Sequence, residues 1–550
     1  MTAKRLWHRA GEAWNALPLR EPWRVLVPLL AVHWIAIGVF VTRVNHNGWL
    51  FYQGGDQIWH WTSGWLLGKG WITWPLVGPG WSLMVMPFSW IGGAGFLGGL
   101  PGAMILQIAV LAPIALWCMY ELGARIGGRA IGYAAALVWV LGPYMAVPLF
   151  VHRYHDRYVD QFLPIPLGLT AMADYAGMVF LLASAVFVVR AMESRDPAAA
   201  ALAGALAGFS VLVKPSNVIF VAGPVAALLV ARRWRELVVG VVAIAPALIA
   251  LTIWKYRGYG AVPAFAYGEA QVALGPDTLQ APFEKYVEID WQHLRKNLDD
   301  LREFFWSVRV LQWLPIAGAI AVARRSLPLA VLLSLWFWPF LIIKGSASQT
   351  SVDSGSFFRL LLPALPAFVL LAVSIPLLLP KHGMRLWRTT SLPAARPVTR
   401  GWVMACVVAL GALPIVASAA VQPLITGERV LQESGIATPV DSELTLGSER
   451  RGPSIGLQWS APRTNGSRIF YRVFRSAAEV DHLCSNSGSG GASQCVLSSR
   501  EVQTTRDRKV IDRPGPGTWT YRVGAGANWV DDPELGDVFL LSNPVTVTVP

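Results

Sequence analysis

Apolar runs long enough to cross a bilayer recur along most of this 550-residue sequence. A hydrocarbon core about 30 Å thick needs about 20 apolar residues in one helix, and only a helix or a closed barrel pairs every backbone polar group inside lipid. The runs therefore predict a polytopic α-helical membrane protein with about eleven spans. They lie at 25–42, 101–122, 131–150, 174–192, 198–213, 216–231, 236–256, 306–323, 327–343, 359–379 and 402–421.

The composition supports this class. Charged residues make up 14% of the chain and the mean hydropathy is +0.45, whereas a soluble domain carries about 25% charged residues. Many of the 26 tryptophans stand near the ends of apolar runs, which suits the headgroup level of a bilayer. The net charge of +13 does not indicate nucleic-acid binding, because the basic residues are dispersed among short loops.

The distribution of Lys and Arg predicts the orientation. Cytoplasmic loops are enriched in these residues, and an N-terminal segment (1–24) inside the cell makes every cytoplasmic loop basic. The protein is then expected in the plasma membrane, with its C-terminal region outside. The transmembrane domain covers 25–424, and its long outer loops lie at 43–100, 151–173, 257–305 and 344–358.

Two segments depart from simple spans. The runs at 198–213 and 216–231 are short and separated by KPS, which predicts a broken or tilted helix pair. The segment EKYVEIDWQHLRKNLDDLREFF in the third outer loop is amphipathic and charged, and predicts a helix lying on the membrane surface.

The pattern changes after about residue 440. LQWSAP, RIFYRVFRS, TWTYRVGAG and NPVTVTV alternate apolar and polar residues, with Pro, Gly and Asn between them. This alternation predicts a β-sandwich over 441–550, behind a linker at 425–440. The segment resembles a fibronectin type III domain, with Trp459 and Tyr521 where that domain has its core Trp and Tyr. Such a domain usually binds or spaces rather than catalyses.

The cysteines agree with that placement. Cys484 and Cys495 close the Gly/Ser-rich loop LCSNSGSGGASQCV, which predicts a disulfide and hence an oxidising compartment. Cys118 and Cys406 stand inside apolar runs and are expected to be inert thiols.

A single acid, Asp56, stands in FYQGGDQIWHW, after the first run. Two glycines precede it and allow the backbone to approach another group, and a carboxylate at the bilayer boundary is unfavourable unless it has a function. One interpretation is a general base that accepts a proton from an acceptor hydroxyl. The other is an ordinary loop acid or a cap for the following helix.

The second outer loop contains HRYHDRYVD, whose ionisable residues are His152, Arg153, His155, Asp156, Arg157 and Asp160. Arginine suits phosphate because its planar fork donates two hydrogen bonds. Asp174, Lys214 and Arg359 stand at the ends of later spans, and together these residues would line one outer cavity for an anionic lipid headgroup. The alternatives are ion pairs within a solvated turn and snorkelling at helix ends. The histidine pair lacks further metal-ligand motifs, so no metal site is predicted and a divalent cation is only a possible cofactor.

The order of these parts resembles the type C superfamily of membrane glycosyltransferases, which includes protein O-mannosyltransferases and lipid A aminoarabinose transferases. The similarity covers about residues 25–380. It includes the segments GGDQIWHW, ELGARIGGRAIGYAAALVWVLGP, ADYAGMVFLLASAVFVVRAMES, GALAGFSVLVKPSNVIFVAGPVAALL and FFRLLLPALPAFVLL.

The resemblance implies transfer of a sugar from a polyprenyl-phosphate carrier to a glycan, lipid or protein acceptor at the outer face. Transfer usually inverts the anomeric centre and would serve the synthesis of cell-envelope glycans or glycoproteins. Asp56 is implied as the base and Asp174 as a second acid, with Asp156 and Asp160 as competitors. Many members have two adjacent acids in the first loop, whereas Gln57 follows Asp56 here. By position, the implied phosphate-binding cations are Arg153, Arg157, Lys214 and Arg359.

Two other classes of function stay open. A transporter or a flippase of lipid-linked sugars would also use broken helices and intramembrane charge. Against transport, most charges stand at the outer ends of spans and the two halves show no internal repeat. A non-catalytic scaffold of the cell envelope would instead bind through its β-sandwich.

Overall fold

The computed structural model describes residues 21–44, 55–68, 70–72, 77–92, 102–259, 289–305, 308–348, 350–380, 395, 397–423, 444–460, 469–477, 500–527 and 537–550. The chain divides into a helical unit, which ends at Pro423, and a mainly β-sheet unit, which contains Leu424–Pro550 together with Phe88–Gly99 and Gln271–Ala273. The segment 1–20, the predicted linker 425–440 and the predicted disulfide between Cys484 and Cys495 lie outside the described residues.

Helices form nearly all of the first unit. They are α1 (Trp23–Arg43), α2 (Gly55–Leu67), α3 (Pro79–Gly92), α4 (Gly102–Gly127), α5 (Arg129–Met145), α6 (Ala173–Ser194), α7 (Pro197–Val213), α8 (Ala222–Val230), α9 (Trp234–Tyr259), α10 (Trp291–Phe304), α11 (Leu314–Ala323), α12 (Leu327–Gly345), α13 (Ser356–Val373) and α14 (Arg400–Ala420). A short parallel pair joins β1 (Trp71–Ile72) to β2 (Gln422–Pro423).

Among the described residues, seven helices are long and apolar enough to cross a membrane: α1, α4, α6, α9, α12, α13 and α14. The helical unit is therefore that of a multi-pass membrane protein. The predicted spans at 131–150, 198–213, 216–231 and 306–323 correspond to shorter helices. The count of about eleven spans is not confirmed, and prolines near the ends of these helices explain part of the shortening.

The predicted break at KPS is present. α7 ends at Val213, Lys214 is extended with φ −149° and ψ 112°, and a 3-10 helix runs over Pro215–Val221 before α8. A residue that precedes proline disfavours the helical region because it clashes with the proline ring. Pro215 therefore accounts locally for the break, and the break sets the position of Lys214 at the end of α7.

Most residues of α7 are buried, and this helix packs against α6, α9 and α14. Its sequence, PAAAALAGALAGFSVLV, consists largely of Ala and Gly, residues that let helix backbones approach closely in a membrane. The approach to α9 is tightest at Gly204, where an added Cβ would lie 2.0 Å from the carbonyl oxygen of Gly240. Small residues therefore set the distance between these two helices.

We expect Gly204→Ala to lower the midpoint of thermal unfolding of the detergent-purified protein. The new methyl group would overlap the backbone of α9, and overpacking of this kind costs about 1–3 kcal/mol. Gly38→Ala in α1 is the matched control, because a Cβ there meets nothing within 4 Å. Equal midpoints for the two variants would contradict the close packing of α7 on α9.

The second unit contains strands β3 (Leu446–Arg451), β4 (Ser454–Trp459), β5 (Ile469–Ala477), β6 (Arg500–Thr505), β7 (Lys509–Asp512), β8 (Gly517–Ala527), β9 (Asp537–Leu541) and β10 (Val545–Val549). Antiparallel pairing gives a three-stranded sheet in the order β3-β4-β7 and a second sheet in the order β10-β8-β5-β6, with β9 also paired to β8. The alternating apolar residues of both sheets form one shared core. The predicted β-rich region is thus observed, and its identity as a fibronectin type III-like domain stays a prediction.

Two aromatic residues singled out in the sequence lie in that core. Trp459 and Tyr521 are both buried, and the Tyr521 hydroxyl donates a hydrogen bond of 2.7 Å to the carboxylate of Asp512. The same oxygen of Asp512 accepts a 2.8 Å hydrogen bond from Arg475. The polar end of a large buried side chain is therefore paired, as burial requires.

Candidate active site

Asp174 is the most buried acid among the predicted site residues that the structure describes, with 4% of its surface exposed. It stands in the first turn of α6, which begins after the extended residue Met172. Backbone N–H groups at a helix N-terminus favour negative charge. A buried carboxylate also needs cationic or hydrogen-bonding partners, because its desolvation is otherwise very unfavourable.

Two cations supply those partners. The ammonium group of Lys214 forms a salt bridge with Asp174 Oδ1, and Arg359 Nε lies 4.0 Å from Oδ2. Lys214 comes from the break after α7, whereas Arg359 comes from the first turn of α13. That turn follows Gly355, which has a left-handed φ of +73°. Three residues spread over almost 200 positions of the sequence therefore meet at one end of the helical unit.

Two further residues are close to this group. Lys344, in the last turn of α12, interacts electrostatically with both Lys214 and Asp174. His60 of α2 interacts electrostatically with Asp174. Sequence reasoning missed both residues, since a lysine at the end of an apolar run is typical of snorkelling and His60 is one polar residue within an aromatic stretch.

The helix that carries Asp56 is anchored beside Asp174. The side-chain amide of Gln57 in α2 donates a hydrogen bond to the carbonyl of Thr170, and Trp81 Nε1 in α3 donates one of 3.2 Å to the carbonyl of Ala171. Asp56 is the second residue of α2 and directly precedes Gln57. Its side chain lies outside the described residues, so its role as base stays a prediction.

The second loop has a different set of partners. Arg153 Nη2 lies 2.5 Å from Glu303 of α10, and Arg157 Nη1 lies 3.0 Å from Asp353, with all four side chains at least 40% exposed. The Tyr154 hydroxyl also donates to Glu303, at 2.6 Å. These contacts tie the loop to α10 and to the turn before α13.

The remaining loop candidates are His152, His155, Asp156 and Asp160. The rings of His152 and His155 are 5.1 Å apart, and His155 Nε2 is 3.0 Å from the carbonyl oxygen of Phe150. Partial burial and the nearby negative charge of Asp156 raise the pKa of Asp160. Within the part of the chain that the structure describes, no three His, Cys, Asp or Glu residues are grouped as metal ligands.

Comparisons with known proteins identify no family for this chain. No protein-family model matches the sequence, and no curated protein matches it. A solved structure similar to the chain is the crystal structure of the Archaeoglobus fulgidus oligosaccharyltransferase in the apo form, with a TM-score of 0.41 and 14% sequence identity. The similarity covers 73% of this chain and 56% of that one, so the chain spans little more than half the length of that protein. At this level of similarity, nothing about the activity of this chain follows from that protein.

Proposed function

We propose that the protein is an integral membrane glycosyltransferase that moves a sugar from a polyprenyl-phosphate carrier to an acceptor hydroxyl. The observation that carries the proposal is the buried carboxylate of Asp174 shared by Lys214 and Arg359, beside the helix α2, whose second residue is Asp56. The group belongs to a unit with seven candidate membrane spans among its described residues. A charged site at the end of such spans suits a lipid-linked substrate with an anionic headgroup.

The chemistry requires positive charge at the carrier phosphate. When the bond between the sugar C1 and the phosphate oxygen breaks, its electron pair stays on the phosphate, which changes from a monoanion to a dianion. Preorganised cations in a partly dry site stabilise that developing charge. Lys214 and Arg359 are the proposed cations, and no nucleotide is needed because the carrier bond is already activated.

Asp56 is the proposed general base. It takes the proton of the acceptor hydroxyl while that oxygen attacks C1 from the side opposite the leaving phosphate, which inverts the anomeric centre. Positions four residues apart share one face of a helix, and His60, four residues after Asp56, interacts electrostatically with Asp174. This spacing places Asp56 on the same face of α2 as His60, which supports its assignment as the base.

Asp174 has a positioning role in this proposal. Its carboxylate already interacts with two cations, Lys214 and Arg359. This arrangement favours a role in orienting the two cations over a role in taking a proton from the acceptor. The part-buried salt bridge restricts the side chain of Lys214, which is long and otherwise flexible. Catalytic preorganisation of this kind depends on groups held in place before the substrate arrives.

For the second-loop arginines we expect small effects. Exposed ion pairs contribute about 0.2–1 kcal/mol, so Arg153→Gln and Arg157→Gln should each lower the transfer rate less than about fivefold. Lys214→Met is the comparison, with an expected loss of at least about 100-fold. A loss as large as that of Lys214→Met in either arginine variant would instead indicate that the arginine binds the phosphate directly.

The decisive experiment uses the purified full-length protein in proteoliposomes with a radiolabelled polyprenyl-phosphate sugar. Glycan, lipid and protein acceptors from the cell envelope are supplied in separate reactions. Label in an acceptor supports the glycosyltransferase, and loss of that product in Asp56→Asn ties it to the proposed site. Movement of intact labelled lipid between leaflets without product would identify a flippase. If neither transfer nor movement is observed, the non-catalytic scaffold is the remaining interpretation.

Transport is the second candidate because one observation favours it. α7 is interrupted at Lys214, and interrupted helices that present charged groups at the break are a feature of transporters. In that case the Asp174–Lys214 salt bridge would open and close during each cycle, and movement of the lipid would continue in Asp56→Asn. The proteoliposome experiment separates the two candidates directly.

The predicted placement belongs to the proposal as well. The helix ends that carry the Asp174 group are proposed to face outward, and the C-terminal region is proposed to be extracytoplasmic. The plasma membrane is the proposed location, with the N-terminus in the cytoplasm. The proposed partners are the bilayer, the lipid-linked donor and an acceptor of the cell envelope.

A further inference from the structure

Lys344 is a buried cation without an assigned role in the proposed reaction. Only 9% of its surface is exposed, and it stands in the last turn of α12 within electrostatic reach of Lys214 and Asp174. A buried ammonium group is unfavourable unless negative charge is near it. Lys344 makes further interactions within the protein, yet its charge adds to those of the two cations already beside Asp174.

The end of α12 is held in place by neighbouring segments. Asn297 of α10 donates hydrogen bonds of 2.8 Å to the carbonyl of Gly345 and 3.2 Å to that of Thr350. The Thr350 hydroxyl donates a 2.6 Å hydrogen bond to the carbonyl of Lys344. The backbone at Lys344 is therefore anchored to α10 and to the turn before α13, which restricts where its side chain can reach.

The charges of this group are unequal. Among the described side chains of this group, Lys214, Lys344 and Arg359 carry three positive charges, and Asp174 carries one negative charge. Adding the carboxylate of Asp56 still leaves a positive balance among these groups. A like charge beside Lys214 lowers the stability of the ligand-free protein. An anion that binds among these residues is therefore attracted by all three cations.

We propose that Lys344 stabilises the second negative charge that the carrier phosphate acquires as the glycosidic bond breaks. This inference deepens the proposed function and rests on it for the reaction itself. The acceptor oxygen forms a bond to C1, its proton goes to Asp56, and the electron pair of the broken C1–O bond stays on the phosphate. The donor phosphodiester has one negative charge and the released lipid phosphate has two, so Lys344 binds the product state and the transition state more strongly than the donor.

The test measures binding to the purified full-length protein at pH 7, with no sugar transfer required. Farnesyl phosphate is mainly a dianion at this pH because the second pKa of a phosphate monoester is about 6, whereas farnesyl methyl phosphate is a monoanion. The wild type should bind the dianion at least about tenfold more tightly than the monoanion. Lys344→Met should remove most of this preference, and Lys344→Arg should keep it.

Lys296→Met is the matched control. It removes the same charge from an exposed position of α10, next to Asn297, and should leave the preference within about twofold because exposed charges are screened by solvent. In transfer assays, Lys344→Met should lower kcat about tenfold or more with a smaller change in KM, as expected for an interaction that strengthens in the transition state.

The outcomes distinguish the two proposals. A wild type without preference for the dianion, or a Lys344→Met variant that keeps the full preference, overturns the role of Lys344 whether or not sugar is transferred. A clear preference that depends on Lys344, combined with no transfer to any acceptor, overturns the proposed glycosyltransferase and leaves a binding site for lipid phosphates.

Discussion

Asp174→Ala should reduce both the folded yield and the transfer activity, with a loss of activity of at least about 100-fold. Lys214 and Arg359, whose side chains are only 20% and 21% exposed, would remain without the carboxylate that they share. Removing one partner of a buried ion pair typically costs about 3–5 kcal/mol, because the remaining charge is uncompensated. Thermal unfolding in detergent and initial rates with a labelled donor measure the two effects.

A double variant separates the structural effect from the functional one. In Asp174→Ala/Lys214→Met the partly buried ammonium of Lys214 is absent, so fewer cations lack the carboxylate and the unfolding midpoint should rise part of the way toward that of the wild type. Activity should stay lost, because a proposed phosphate-binding cation is missing. Recovery of both stability and transfer in the double variant would show that the salt bridge only supports the fold.

Asp56→Asn should abolish transfer while leaving the folded protein and donor binding intact. The amide cannot accept the proton of the acceptor hydroxyl, and general-base catalysis typically contributes about 10²–10⁴ in rate. Initial rates with a labelled donor, together with binding of the donor lipid, make the comparison.

Asp299→Asn provides the control for this variant. Asp299 is an exposed acid of α10 paired with Arg302 at 2.6 Å, so its replacement should change the rate less than about threefold. Full activity in Asp56→Asn would remove Asp56 from the mechanism. Another acid, with Asp160 the next candidate, would then have to serve as the base.

Several features followed from local sequence. Apolar runs predicted helices of the right type, because burial in lipid depends on hydropathy and length within one segment. The break at Lys214 was predictable from Pro215 alone, and the alternation in RIFYRVFRS and TWTYRVGAG predicted strands that the structure contains as β5 and β8. The number of spans was harder to predict, since hydropathy does not reveal where a proline or a turn shortens a helix.

The grouping around Asp174 could be predicted only in part. The sequence and the family resemblance singled out Asp174, Lys214 and Arg359 separately, by their positions at the ends of spans. Nothing local distinguished them from Arg153 and Arg157, whose partners are instead Glu303 and Asp353. Lys344 was missed for the same reason, because a lysine that ends an apolar run is usually a snorkelling residue.

Local sequence defines the helices, the strands and the end of α7, because each depends on neighbouring residues. Which charges meet depends instead on tertiary packing, since Asp174, Lys214, Lys344 and Arg359 come from four helix ends. Their contact depends on how α6, α7, α12 and α13 pack, and helix packing is set by the shapes of many side chains at once.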